Sequence, residues 1–170
     1  MKASRLSIGV FAAAVALSAG LNSALASNHT ASRAITVGSA STGLGRVLVD
    51  GRGHTLYLFT KDAHGKSACN GQCIGYWPPL ITTGKPRAGA GLKASLLGTT
   101  RRGDGRLQVT YNHHPLYSFV KDSRKGQTNG EGLDTFGAEW FALSPAGSKV
   151  DKPGGESSPA GDPSPGGYGY

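Results

Sequence analysis

The chain carries an internal repeat. Thr55-Leu56-Tyr57-Leu58-Phe59-Thr60-Lys61-Asp62 aligns with Pro115-Leu116-Tyr117-Ser118-Phe119-Val120-Lys121-Asp122 at a constant offset of 60, with Leu, Tyr, Phe, Lys and Asp coinciding. Sequence self-similarity of this kind marks one supersecondary unit copied, so the architecture follows from what a single copy can form. A β-rich run and a turn precede each copy. Arg46-Val47-Leu48-Val49 leads through Asp50-Gly51-Arg52-Gly53, and Leu107-Gln108-Val109-Thr110-Tyr111 leads through Asn112-His113-His114. Two β-rich runs joined by residues that tolerate positive φ predict a β-hairpin in each copy. Trp77 and Trp140 follow the two tyrosines at similar distances, so each hairpin is expected to have its own aromatic partner.

Side chains on a strand alternate between faces. Tyr57 and Phe59 therefore share a face, as do Tyr117 and Phe119, while Leu56 and Leu58, or Leu116, Ser118 and Val120, take the other. Both faces are apolar enough to be covered, which suits central strands. Asp62 and Asp122 fall just past the strand ends, where a carboxylate commonly accepts backbone N–H groups in an Asx-type turn. The 27 glycines and 9 prolines disfavour long helices. The expected fold is mostly β, a small antiparallel sheet or sandwich built from two similar β-hairpin repeats. The two-repeat domain is placed at residues 43–147, with repeat 1 at about 43–82 and repeat 2 at about 92–147. Residues 27–42 read as a lead-in with one strand near 35–37. Residues 148–170, rich in Gly, Pro and Ser, read as a disordered tail.

The N-terminus reads as a secretory signal peptide over residues 1–26. Lys2 and Arg5 open it, an apolar run spans Ile8 to Leu17, and Ala24-Leu25-Ala26 supplies a small-x-small cleavage pattern. The apolar run is too short to cross a bilayer and no longer one follows, so no membrane span is expected. The expected destination is extracellular, the exterior of the cell envelope. Lys plus Arg is 18 against 10 for Asp plus Glu, a formal charge of +8. A basic secreted domain suits adhesion to anionic wall polymers or membrane surfaces. The basic residues are scattered rather than blocked, so no nucleic-acid partner is expected.

The paired Tyr57-x-Phe59-x-x-Asp62 and Tyr117-x-Phe119-x-x-Asp122 resemble the signature of a family of bacterial secreted repeat proteins and lipoproteins with a Yx(F/W/Y)xxD motif. Cys69-Asn-Gly-Gln-Cys73-x-x-x-Trp77-Pro78-Pro79-Leu80 is similar to the segment that follows the motif in that family, and Gly105-Arg-Leu-Gln108-Val-Thr-Tyr111 to the one before its second copy. The resemblance covers roughly residues 43–147. It implies a secreted repeat fold and no activity, since the family's function is unknown. Two departures stand out. The lipid-attachment cysteine is missing, so no surface anchor carries over. His113-His114 stands where a glycine turn is more usual, which implies a second turn that is looser or holds a ligand.

Cys69 and Cys73 are the two cysteines, in a chain addressed to an oxidising compartment, and a disulfide is the first reading. A bridge closing five residues contributes about 2 kcal/mol on the chain-entropy account, so it shapes a loop more than it holds a fold. A redox-active or metal-binding pair is the alternative, although the spacing lacks the C-x-x-C of known redox centres. Cleavage after Ala26 starts the mature chain at Ser27-Asn28-His29, whose amine, two amides and imidazole form a square-planar nitrogen set suited to Cu(II). His54, His113 and His114 are the further candidate metal residues, in or beside the turns before the matched strands. No resident cofactor is expected, with Cu(II) the one these residues suit. There is no G-x-S-x-G elbow, H-E-x-x-H helix or P-loop, and no spacing recommends a carboxylate pair, so catalysis has no support. The leading function is a secreted, non-catalytic envelope or extracellular module that binds a wall polymer, an envelope surface or a small ligand. Tyr57, Phe59, Asp62, Trp77, Tyr117, Phe119, Asp122 and Trp140 are its candidate binding residues. The alternative is a copper-handling or redox protein.

Overall fold

The structure, a computed structural model, describes residues 34–150. The leader, Ser27-Asn28-His29 and residues 151–170 lie outside the described residues.

Strands β1 (Thr36–Thr42), β2 (Gly45–Val49) and β3 (Tyr57–Phe59) form the first repeat, followed by a one-turn helix α1 (Cys73–Tyr76), β4 (Ile81–Thr82) and β5 (Arg87–Ala88). A 3-10 turn (Ala94–Leu96) leads into β6 (Leu97–Arg101), β7 (Leu107–Tyr111) and β8 (His114–Pro115), and the described chain ends with β9 (Leu133–Thr135) and β10 (Ala138–Ala142). They make three small sheets, ordered β2-β1-β5, β3-β10-β9 and β4-β7-β6 with β8 on β7. Every pairing among these strands is antiparallel except the two-residue contact of β1 with β5. The fold is mostly β and two-fold repeated, as the sequence leads one to expect.

The lead-in is part of the repeat. Residues 38–42 pair with β2, from Gly38 opposite Val49 to Thr42 opposite Gly45, while Thr36 and Val37 pair with β5. This matches the β6–β7 hairpin, from Leu97 opposite Tyr111 to Arg101 opposite Leu107. The Ser/Thr/Ala-rich composition hides the strand because its side chains are mostly half-exposed, with Val37 alone fully buried. Residues 148–150, grouped by composition with the tail, are likewise structured: Val150 N–H donates to Ala142 O at 2.8 Å, and Lys149 bridges Leu143.

The turn at Asp50–Gly53 forms as its residues predict. Asp50 Oδ1 accepts the N–H groups of Arg52 and His54, both at 2.9 Å. The second turn is tight rather than loose. Asn112 and His113 both hold positive φ (47° and 65°) between paired Tyr111 and His114, the two-residue geometry whose twist matches that of a hairpin. Asparagine and histidine are among the few non-glycine residues that enter this region readily.

Beyond these turns the hairpins open, and each repeat completes the other. Leu56 N–H donates to Leu48 O (2.9 Å), Leu143 N–H to Leu56 O (3.1 Å) and Leu48 N–H to Leu143 O (2.7 Å), closing a three-membered ring. Leu116, Val109 and Leu80 close the same ring in the second repeat, at 3.0, 2.9 and 2.8 Å. The third member of each ring comes from the far end of the other repeat's segment. Between the rings, Tyr57 and Tyr117 exchange N–H···O=C bonds of 2.8 and 3.0 Å across an approximate two-fold axis.

The two faces of these strands bury two cores. Leu48, Leu56, Leu58, Val109, Leu116 and Leu143 pack on one side. On the other, Phe59, Trp140, Trp77 and Phe119 form one continuous stack, with successive centroids 4.1, 3.9 and 4.3 Å apart. Tyr57 and Tyr117 stand edge-on to Trp77 and Trp140, at 5.4 and 5.1 Å. The stacking partner of each Trp is thus the phenylalanine of the opposite repeat, so the expected one-Trp-per-hairpin pairing is exchanged. Both indole N–H groups end on Thr135, Trp77 on its Oγ1 (3.3 Å) and Trp140 on its carbonyl (3.1 Å).

Trp77→Ala and Trp140→Ala are each expected to destabilise the domain by ~3–5 kcal/mol. Because the two rings share one face, the double variant should cost less than the sum of the singles. Urea unfolding of the four proteins measures both the size and the coupling.

Candidate functional site

Each motif places one aromatic pair and one carboxylate. Tyr57 and Phe59 point inward from β3, after which Asp62 N–H closes a turn onto Phe59 O at 3.0 Å and sends its side chain back toward the core. Asp122 does the same onto Phe119 O at 3.1 Å. The carboxylates then meet the tyrosines of the opposite repeats. Tyr57 OH donates to Asp122 Oδ2 at 2.6 Å, and Tyr117 OH to Asp62 Oδ2 at 2.9 Å. The second oxygens accept loop N–H groups, Asp122 Oδ1 from Asn129 (2.9 Å) and Asp62 Oδ1 from Ala68 (2.7 Å). These carboxylates do take backbone N–H groups, but from six or seven residues on rather than in the local Asx turn that the sequence suggests. Their main bond crosses between repeats. Gly130 makes room for this arrangement, since a Cβ there would lie 2.8 Å from the Trp77 ring and 2.9 Å from Tyr57.

Burial sets the protonation of this latch. Desolvation first, and the accepting carboxylate second, push the Tyr57 hydroxyl well above its ordinary range. Burial and Asp62 do the same for Tyr117, so both stay donors at any physiological pH. Burial also raises Asp62 to about 6, outweighing the Ala68 N–H, the Tyr117 hydroxyl and the Arg102 charge, which all favour its ionised form.

Arg102, which the sequence does not single out, is buried behind this latch. Its guanidinium donates to Ser67 Oγ, Gln108 Oε1 and Cys69 O, each at 2.7 Å, and to Asn70 Oδ1 at 3.1 Å. Ser67 Oγ lies 2.6 Å from Tyr117 OH. Cys69 and Cys73 form a disulfide with Cα atoms 5.4 Å apart, both buried against the aromatic core. Arg102 thus ties the disulfide loop to β7 and to the latch.

The candidate binding residues are therefore core residues. Tyr57, Trp77, Tyr117 and Trp140 are fully buried, and Phe59, Phe119 and Asp122 nearly so, with Asp62 half-buried. The edges of Trp77 and Phe119 nevertheless reach the floor of a surface cleft of about 480 Å3. Tyr76 at the end of α1 and Phe136 at the β9–β10 turn wall it, their ring centroids 5.8 Å apart, exposed by 54 and 38 %. Lys121, Thr135 and Gln72 add the polar groups. A second cleft of about 470 Å3 touches the Phe59 end of the stack, with Asp62 and His114 on its wall. The sequence reading missed Tyr76 and Phe136. The signal was present in Phe136-Gly137, a bulky residue before a glycine between two β-rich runs, where Asn-Gly is the usual hairpin turn.

The candidate histidines are not gathered into one group. His54 Nδ1 lies 3.8 Å from Asp50 Oδ2, His113 is exposed in its turn, and burial lowers the half-buried His114 below the usual histidine range. Among the described residues no three His, Cys, Asp or Glu side chains are grouped to hold a metal.

Asp62 generates a pH prediction. A folded-state pKa of about 6 lies above the ordinary Asp value of about 3.9, so the folded chain holds this proton over a range in which the unfolded chain has lost it. Stability should therefore fall as pH rises from about 4 to about 6, with Asp62 contributing about 1–3 kcal/mol of the change. Thermal melts of wild type and Asp62→Asn across that range test this: the variant should lose that part of the slope.

The family described as a secreted repeat of unknown function matches the chain twice, at residues 38–81 and 98–144. The first match runs from β1 to the start of β4 and the second from β6 through β10, so each contains one motif and one tryptophan. No curated protein and no solved structure matches the chain. With a matched copy of the repeat on either side of the Tyr57–Tyr117 exchange, the chain belongs to this family of secreted repeats.

Proposed function

We propose that the protein is a secreted, non-catalytic binding module that holds a glycan of the cell wall or extracellular matrix in the Tyr76–Phe136 cleft. A sugar ring presents apolar C–H faces to an aromatic wall and hydroxyls to polar groups at its rim. Tyr76 and Phe136 supply the wall, Trp77 and Phe119 the floor, and Gln72 and Thr135 the hydrogen-bonding groups. The balance of apolar lining and a few polar groups is that of a ligand site.

The observation that carries this reading is the backbone of Phe136. Its φ is +62°, in a two-residue turn with Gly137 at +84°. A bulky L-residue in this region costs roughly 1–2 kcal/mol. Asparagine would make the turn without that strain and without an exposed ring. Strain held at an exposed aromatic beside a cleft supports selection for contact rather than for stability. The carboxylates of the motifs are committed to the tyrosine latch, which favours binding over turnover.

Phe136→Asn separates the two roles. It should raise stability by about 0.5–1 kcal/mol through relief of strain and weaken cosedimentation with insoluble wall polysaccharide at least about tenfold, a loss of ~1.4 kcal/mol. Tyr76→Ala should weaken binding similarly with its melting temperature unchanged. Retained binding in both variants would sink the assignment of the cleft.

A further inference from the structure

Within that cleft one side chain carries a charge with no partner among the described residues. Lys121 lines the wall beside Phe119, and its ammonium has neither a hydrogen bond nor an ion pair among the described residues. Its counterpart in the first repeat, Lys61, is instead directed at Phe136 O, at 3.4 Å. The nearby acids face away. Asp134 lies between Leu133 and Thr135 on β9, and strand alternation sends these two into the cleft and Asp134 to the opposite face. Glu139 stands opposite Asp134 on β10, on that same outer face. The cleft thus combines an aromatic wall with a single cation and no carboxylate.

We infer that the glycan held here is a uronic acid polymer, its ring stacked on Tyr76 and Phe136 and its carboxylate taken by Lys121. This rests on the glycan reading above and names its ligand class. The chemistry selects a uronate because the carboxyl carbon is attached to the ring itself. A ring lying on the aromatic wall then has its charge within reach of a flexible lysine on the same wall. A phosphodiester polymer of open-chain alditols offers charge without a ring face, and a neutral glycan a ring face without charge. The described region supports the sign: between residues 34 and 150 there are 14 Lys and Arg against 7 Asp and Glu. A solvent-exposed ion pair is a modest interaction, so the carboxylate should add selectivity to the affinity that stacking provides.

The test is calorimetric titration of the whole secreted chain with an oligogalacturonate and with the same oligomer fully methyl-esterified, which keeps the rings and removes the charge. At low salt the acid should bind about two- to fivefold tighter than the ester, the range of an exposed pair. The difference should vanish in 0.5 M salt, where screening shortens to roughly 4 Å, and in Lys121→Gln. Equal binding of acid and ester would overturn this inference and leave the glycan site standing. Binding of neither overturns this inference, and cosedimentation with wall polysaccharide then decides the glycan reading on its own. Binding of the acid that survives Tyr76→Ala but not salt marks diffuse charge attraction, and also overturns both.

Discussion

The structure depends on an exchange. Each repeat supplies a tyrosine and an aspartate, and each bond joins the tyrosine of one to the aspartate of the other. A hydrogen bond to a charged group contributes about 1.5–3 kcal/mol, and a buried carboxylate that lost its donor would cost at least as much. The same crossing recurs in the aromatic stack, where Trp140 lies on Phe59 and Trp77 on Phe119, and in the two three-membered backbone rings. Polar satisfaction, ring stacking and backbone pairing are therefore all completed across the same axis. Neither repeat has a closed core of its own, and the two form one cooperative unit rather than two beads on a chain.

Symmetry holds where the chain is structural and breaks where it offers a surface. From β1 to the motif aspartate the repeats correspond strand for strand, with one extra residue in the β6–β7 turn of the second repeat and one in the turn after β2 of the first. Between aspartate and tryptophan they diverge. The first repeat inserts the disulfide loop and α1, the second the β9–β10 hairpin. The aromatic cleft lies at this divergence, walled by Tyr76 from one insertion and Phe136 from the other, over a floor that both repeats share. A duplicated scaffold that varies in one loop of each copy thus provides a shared base for a cleft that neither copy forms alone. For the proposed glycan, a rigid cleft would reduce the ordering cost that weakens binding at a shallow surface.

Much of the scaffold was legible in the residues. The repeat, the strand alternation that buries both faces of β3, the turn at Asp50 and the disulfide all follow from local pattern. What was hidden is non-local. No periodicity reveals that Trp140 pairs with Phe59 rather than with its own phenylalanine, because both assignments put aromatic rings on the same face. The acceptors of Tyr57 and Tyr117 lie 65 and 55 residues away in sequence. Arg102 reads as one scattered basic residue among many, and only the fold shows its guanidinium enclosed by Ser67, Cys69, Asn70 and Gln108. The cleft was missed for a different reason. The sequence makes the motif aromatics conspicuous by repetition, and repetition selected the residues that hold the fold, whereas Tyr76 and Phe136 occur in one copy each.

The spacing of the motif follows from the work its residues do. Tyrosine and phenylalanine two apart must share a face, so one strand of three residues delivers both a hydroxyl and a stacking ring to the core. The aspartate cannot share that strand, because its target is the other repeat's tyrosine beyond the axis. Three residues of turn after the phenylalanine, closed by the aspartate's own N–H, reverse the chain and return the carboxylate inward. Burial keeps the tyrosine protonated and therefore a donor, while the carboxylate has a second oxygen left to fix the loop that follows. Asparagine in that place has one acceptor oxygen for two donors. One short motif, used twice and crossed, thus specifies the core, the interface between repeats and the origin of both insertions that build the cleft.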